Sequence, residues 1–129
     1  MEPDEKLFKA RKWLEYLSCF DGPGAAAMMT QNGSYRLNSK TDPGAIGQDA
    51  VAQRICDLST LLNPPLTFKE IGTATGSLEV AIRNLGYGIT VDGKPYENEY
   101  VWWFEFDKKK ISKVIEYLDL VYGNEILSG

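Results

Sequence analysis

The stretch KPYENEYVWWFEFDKKKISKVIEYLD, Lys94 to Asp119, decides how this chain is folded. Side chains alternate across an extended strand, so Asn98, Tyr100, Trp102, Phe104 and Phe106 share one face, and Glu97, Glu99, Val101, Trp103 and Glu105 the other. Asp107 and the three lysines that follow make a turn. On the next strand Val114, Glu116 and Leu118 share a face. With that face inward, the two antiparallel strands bring a lone carboxylate, Glu116, against an aromatic wall. Burial in such a place disfavours the charged form, which is how proteins make general acids and bases. The last strand is apolar on both faces, so Glu116 outward with Ile115 and Tyr117 facing in is the other reading.

The period of two extends upstream. Leu66 to Thr75 and Leu78 to Ile89 read as strands separated by a turn at Gly76. Before them the spacing is helical. Asp4 to Phe20 is an amphipathic helix with Leu7, Ala10, Leu14 and Leu17 on one face, beside Trp13 and Phe20. Asp21-Gly22-Pro23-Gly24 ends it, because Gly and Pro do not continue a helix cheaply. A short second helix covers Ala25 to Met29, a strand Gly33 to Leu37, and a loop follows with Asp42-Pro43-Gly44. A third helix spans about Gln48 to Leu62, with Val51, Ile55, Leu58 and Leu62 on one face, and Asn63-Pro64-Pro65 stops it. The tail beyond Asp119, rich in Leu, Val and Ile, is expected to fold back over the sheet.

Helix, helix, strand, helix and then four strands define an α+β protein, with its helices grouped against one face of an antiparallel sheet. A strongly twisted sheet closed by three helices makes a cone, either filled by side chains or open as a pocket. Tyr87, Asn98, Tyr100 and Trp102 are the inward candidates, large groups with polar tips suited to a small organic ligand.

Composition narrows the function. A length of 129 residues makes one domain, 1–129. The net charge is −4, and the only basic run, Lys108 to Lys110, sits at a turn, which argues against nucleic-acid binding through the phosphates. No apolar run approaches the ~20 residues that span a bilayer. The acidic start, Met1 to Glu5, is the reverse of a signal or transit peptide, so a cytoplasmic location is expected. Cys19 and Cys56 fall on helix faces and read as buried free thiols. The chain has no histidine, which excludes a Ser-His-Asp triad, a Cys-His pair and a His-bearing zinc site. Acid–base work falls to Asp, Glu, Tyr or Lys, with no metal or cofactor implied. Gly86-Tyr87-Gly88 lacks phosphate-loop spacing, and its glycines read as a place where the strand bends.

The element order, the PYENEYVWWFEF strand and the DKKKISKVIEYLD ending resemble the nuclear transport factor two-like superfamily, in particular its SnoaL-like polyketide cyclase and limonene-epoxide hydrolase branches. The match runs from Leu7 to about Asp119. It implies a cystatin-like roll and an activity among isomerases, cyclases, dehydratases, epoxide hydrolases or ligand-binding domains, a choice that fold alone does not make. The epoxide-hydrolase branch places an arginine on its third strand and an acid on its last. Arg83 and Glu116 fall at that separation. Its second acid is replaced by Leu85, and its Tyr-x-Asn by Tyr35-Arg36-Leu37, which keeps the tyrosine alone. Asn38 or Asn98 are the available substitutes for the lost asparagine.

An acid kept without the water-holding set fits an isomerase or cyclase acting on a hydrophobic polycyclic or polyketide-like molecule of secondary metabolism; epoxide opening is the alternative reaction. The expected catalytic groups are Glu116, Arg83 and Tyr35. Asn98, Tyr100, Tyr87, Trp102 and Leu118 are expected to bind substrate. Arg36 is a rival cation if a bulge turns it inward. Trp103, beside Val101 on the outer side, reads as a face covered by another subunit, and the resemblance implies a homodimer through it. The competing class is a non-catalytic ligand-binding or assembly domain. Whether Glu116 faces an open cavity separates the two.

Overall fold

A computed structural model describes residues 1–128; Gly129, the last residue of the expected domain, lies outside the described residues. The chain runs through α1 (Pro3–Ser18), α2 (Gly22–Ala27), β1 (Met29–Leu37), a short β2 (Ala45–Ile46) and α3 (Gln48–Cys56). After a 3-10 turn at Asp57–Thr60 come β3 (Leu62–Thr75), β4 (Glu79–Thr90), β5 (Pro95–Asp107), β6 (Lys110–Tyr117) and α4 (Leu120–Ser128). The six strands lie in the order β2-β1-β6-β5-β4-β3.

Helix α1 forms because its apolar residues recur at helical spacing: Ala10, Trp13, Leu14 and Leu17 are buried on one face while Phe8 stays exposed on another. Its first turn is tied to the far end of the sheet. The ammonium of Lys6, almost fully buried, donates to the backbone carbonyls of Gly76 and of Ser77, the latter at 2.8 Å. Helix α2 starts on Asp21, whose carboxylate accepts the Gly24 N–H at 2.9 Å. It packs so closely on α3 that a Cβ at Gly22 would meet the Ala52 carbonyl oxygen at 2.0 Å.

Three expectations change at this level. The sheet is mixed, since β1 pairs parallel with β6 while every other pairing is antiparallel. No hairpin joins β1 and β6, so no turn sets their direction. Helix α3 is also shorter than its apolar pattern, ending at Cys56. Asn63-Pro64-Pro65 belongs to β3, which takes the prolines at a register shift between Asn63 and Thr67. Lastly, Cys19 is exposed at the end of α1 and Cys56 half-buried, so neither is a buried core thiol.

Register decides which residues see the core. On β5, Trp102 lies opposite Ile82 of β4 and Glu116 of β6, whereas Val101 lies opposite Arg83 and Tyr117. Directly opposed residues share a face of the sheet. Glu116 therefore belongs to the concave face, with buried Ile82, Trp102 and Phe104, and Arg83 to the convex one. Trp13 of α1 reaches into the concave side, edge-on to Tyr35 at 5.3 Å and to Phe104 at 5.7 Å. The C-terminal tail is a helix. Asp119 caps it, accepting the Tyr122 N–H at 3.0 Å, and α4 lies over the open end of the cone.

Candidate active site

The concave face encloses a cavity of about 440 Å³. Its walls are mostly apolar: Leu17 from α1, Leu58 after α3, Leu62 and Phe68 from β3, and Leu120 and Leu127 from α4. Tyr35, Arg54, Tyr96, Tyr100 and Glu116 supply polar groups, with Asp57 and Thr60 after α3 also on the lining. The register of β6 against β5 aims Glu116 into this space, where the residue is 8% exposed.

Tyr35 donates its hydroxyl to Glu116 Oε1 at 2.6 Å. Burial pushes the Glu116 carboxyl up to about 7, against the downward pull of the Tyr35 hydrogen bond and the Arg54 charge. Burial, with the nearby Glu116 charge, also holds the Tyr35 phenol well above its ordinary value, so it remains a donor. A carboxyl poised near neutrality and steadied by a phenol can take a proton in one step and return it in the next.

The cation of the site is Arg54, from α3. Its guanidinium lies over the Tyr35 ring, 5.1 Å from the centroid, and grips Asp42 through two hydrogen bonds of 2.7 and 3.2 Å. Burial works against the Arg54 charge, but the Asp42 hydrogen bond and the charges of Tyr35, Asp42 and Glu116 together more than offset it and hold the side chain protonated. Asp42 is held far below the usual carboxylate range, first by Arg54 and further by the N–H groups of Leu37 and Gly44, at 2.7 and 2.9 Å. The Asp42-Pro43-Gly44 loop thus anchors an arginine, which fixes the tyrosine that holds the acid.

On β5, Tyr96 and Tyr100 share a hydroxyl–hydroxyl bond of 2.6 Å. The Tyr100 ring stacks on Trp102 at 5.3 Å and lies across Gly86, where a Cβ would come within 2.6 Å of it. Gly86 therefore makes room for an aromatic ring and does not serve chiefly to bend the strand. Trp102 donates its indole N–H to Asn84 Oδ1 at 3.2 Å and acts as a wall.

Of the residues singled out from sequence, Glu116, Tyr35, Tyr100, Trp102 and Leu118 meet at the cavity. Four do not. Arg83 is on the convex face, paired with Glu99 at 3.1 Å, because its register partner is Val101. Tyr87 lies opposite Glu97 on the same outer side and is 37% exposed. Arg36 points away from Tyr35 and donates to the Leu37 carbonyl at 3.0 Å; the register shift of β1 lies upstream, between Met29 and Ser34, and leaves the alternation of Tyr35 and Arg36 intact. Asn98 is buried with its inward neighbours, but its amide is taken by the backbone of Asp119 before α4.

Arg54, Asp42 and Tyr96 escaped the sequence reading. Arg54 follows Val51 by three residues and precedes Leu58 by four, so the helical period already put it on the apolar face. Tyr96 has the parity of Asn98 and Tyr100. Asp42 carried no such signal.

This architecture is the nuclear transport factor two-like fold, a curved sheet with helices over its concave side. No family model and no curated protein matches the sequence, whereas solved structures match along its whole length. An NTF2-like protein of unknown function from Burkholderia pseudomallei superposes with a TM-score of 0.86 at 13% identity, covering 100% of both chains. A proposed polyketide cyclase from Xanthomonas campestris gives 0.82 at 15% identity over 96% of this chain and 97% of that one. A phenazine biosynthesis-related protein from Pseudomonas aeruginosa gives 0.75 at 17% identity, over 93% and 85%. At such identities the shared property is the fold.

Proposed function

We propose that this protein is a cofactor-independent isomerase or cyclase that acts by general acid–base catalysis on a hydrophobic polycyclic or polyketide-like small molecule. The observation that carries this reading is Glu116: a carboxyl buried at an open cavity, hydrogen-bonded by Tyr35 and pushed up to about 7. In the ionised form it takes a proton from an acidic C–H or O–H of the substrate. As the resulting acid it gives that proton back at another atom, and the product is an isomer. Such transfer contributes ~10²- to 10⁴-fold, and the dry walls orient the substrate. Two fold relatives named for polyketide cyclisation and phenazine biosynthesis are in keeping with this chemistry.

Epoxide hydrolysis is the weaker reading, because Arg83, which it placed beside the acid, is on the other face of the sheet. A filled cone with Glu116 salt-bridged at its rim would have favoured an inert binding domain; the open cavity favours an enzyme. The convex face exposes Tyr87 and Tyr117 and half-exposes Trp103 and Val101, with Ile115 beside them, and we assign it to a homodimer contact.

The test is the pH titration of Glu116 by NMR on protein labelled at glutamate side chains, with Glu116→Gln to assign the signal. A midpoint near 7 is expected. A midpoint at the ordinary ~4.3 of an exposed glutamate would put the carboxyl in water and end the proposal. In a panel of polycyclic ketones and epoxides, an isomerase returns product of unchanged mass in H2O and takes up solvent deuterium in D2O, whereas a hydrolase adds the mass of water.

A further inference from the structure

A second cavity, of about 280 Å³, lies between α1 and β3, and shares Leu66 and Phe68 as a wall with the first. Leu14 and Ile82 add to its apolar lining, and Asn84 of β4, only 1% exposed, is its buried polar group. An indole N–H only donates, so the Trp102 bond at 3.2 Å has to fall on Asn84 Oδ1. This fixes the orientation of the amide. Its Nδ2 keeps two protons and has no acceptor among the described residues. Unlike the Trp13 indole nitrogen, which is sealed in the core, Nδ2 opens on the cavity that Asn84 lines. A buried amide donor left without an acceptor is costly. One water occupies only ~30 Å³, a small part of this space.

The rim sets the charge of what can enter. Arg11 spends two N–H groups on Glu70, at 2.8 and 2.7 Å, and this bond holds the Glu70 carboxyl below its ordinary range, so the pair stays ionised at neutral pH. Glu15, the other acid on the lining, is paired with Lys12 at 3.3 Å. Each charge at the rim is thus already matched, which leaves no free cation to hold an anion and no free anion to hold a cation. We propose that this cavity is a second ligand site, separate from the acid at Glu116, for a small neutral molecule with an apolar body and an acceptor oxygen (a ketone, ester or amide) held by Asn84 Nδ2. Neither Glu116 nor Tyr35 lines it, so the site stands without any step of the acid–base chemistry.

Cyclohexanone and methylenecyclohexane test this on the full chain, because they share a shape and differ in the acceptor oxygen. The readout is NMR on protein labelled at asparagine and glutamate side chains, where the Asn84 amide reports the second cavity and the Glu116 carboxyl the first. Cyclohexanone should move the Asn84 amide signals along a saturable curve, and methylenecyclohexane should bind there about fivefold more weakly. Asn84→Leu should erase that difference between the two probes. A second variant leaves the buried amide alone. Ser18, half-buried at the end of α1, also lines the cavity, and Ser18→Trp should plug it. The Asn84 response should then vanish while the Glu116 titration keeps its midpoint.

If the Asn84 response survives in Ser18→Trp, it is relayed through Trp102 from the first cavity, and the inference fails. Equal affinity of the wild type for the two probes removes the acceptor oxygen from recognition and overturns the assigned ligand class. Movement of the Glu116 signal alone puts cyclohexanone in the first cavity only. No movement of the Asn84 signals at saturating probe leaves a cleft that holds water. Either of these last two results sinks the second site and leaves the acid–base reading intact.

Discussion

On the convex face of the sheet, Arg83 reaches Glu99 at 3.1 Å, with side chains 54% and 51% exposed. Over the concave face, Arg54 reaches Asp42 at 2.7 Å, with side chains 27% and 14% exposed. Both pairs join an arginine to a carboxylate through two hydrogen bonds. Water separates their consequences. The outer pair is screened and belongs to a class worth ~0–1 kcal/mol. The inner pair sits against the Tyr35 ring, and its charges reach a carboxyl from which water is withdrawn. The same chemistry is a surface ornament on one side and part of a tuned site on the other.

The contrast is sharpest in stability against pH. Glu116 titrates at about 7 when folded, against an ordinary 4.5. The folded state then binds its proton more tightly than the unfolded one, so the contribution of Glu116 to stability is full below pH 4.5, falls as the pH rises towards 7 and levels off beyond. The drop attributable to this one group is about 3 kcal/mol. Urea unfolding at pH 5 and pH 8 measures it, and Glu116→Gln should remove it. A wild type whose pH dependence matches that of the variant would falsify the buried-acid description.

Next in size is Asp42→Ala. It strands the half-buried Arg54 guanidinium and two backbone N–H groups, at a cost of about 2–3 kcal/mol. The Glu116 midpoint should also move down, because the Asp42 charge raises it in the wild type. Asp42 itself, with its value lowered, contributes stability that is present above pH 3.8 and is lost as the pH falls below it.

On the other face, Trp103→Glu places a charge among Val101, Ile115 and Tyr117. It should convert the proposed dimer to monomer in sedimentation while leaving the Glu116 titration where it was. The smallest effect is expected of Arg83→Ala: a loss below about 1 kcal/mol and no movement of Glu116. If Arg83→Ala moves Glu116 as far as Asp42→Ala does, the two faces are not electrically separate.

Much of the architecture follows from local pattern. The alternation of Asn98, Tyr100, Trp102, Phe104 and Phe106 appears as a fully buried row, and Leu7 to Leu17 as a helix packed by one face. The aromatic wall was legible from the parity of β5, whereas β6 is apolar on both faces, so that Glu116 was placed inward by the family resemblance and not by its own strand's alternation. The error over Arg83 was one of parity across strands. Nothing in the residues of β4 alone says that Arg83 stands opposite Val101 and not Trp102, and a one-residue difference exchanges the faces. Tyr87 failed for the same reason.

Periodicity thus settled α1, the long strands β3 to β6 and which side chains of β5 turn inward, since these depend on neighbours a few residues away, but not the end of α3, the short β2 or the helix α4. Only the assembled molecule chose Arg54 over Arg83 and Arg36, recruited Asp42 from a loop, and tied the Asn98 amide to α4. Each of those choices joins positions that are distant along the chain. They are set by strand register and helix docking, where small differences between whole-molecule packings outweigh any local preference.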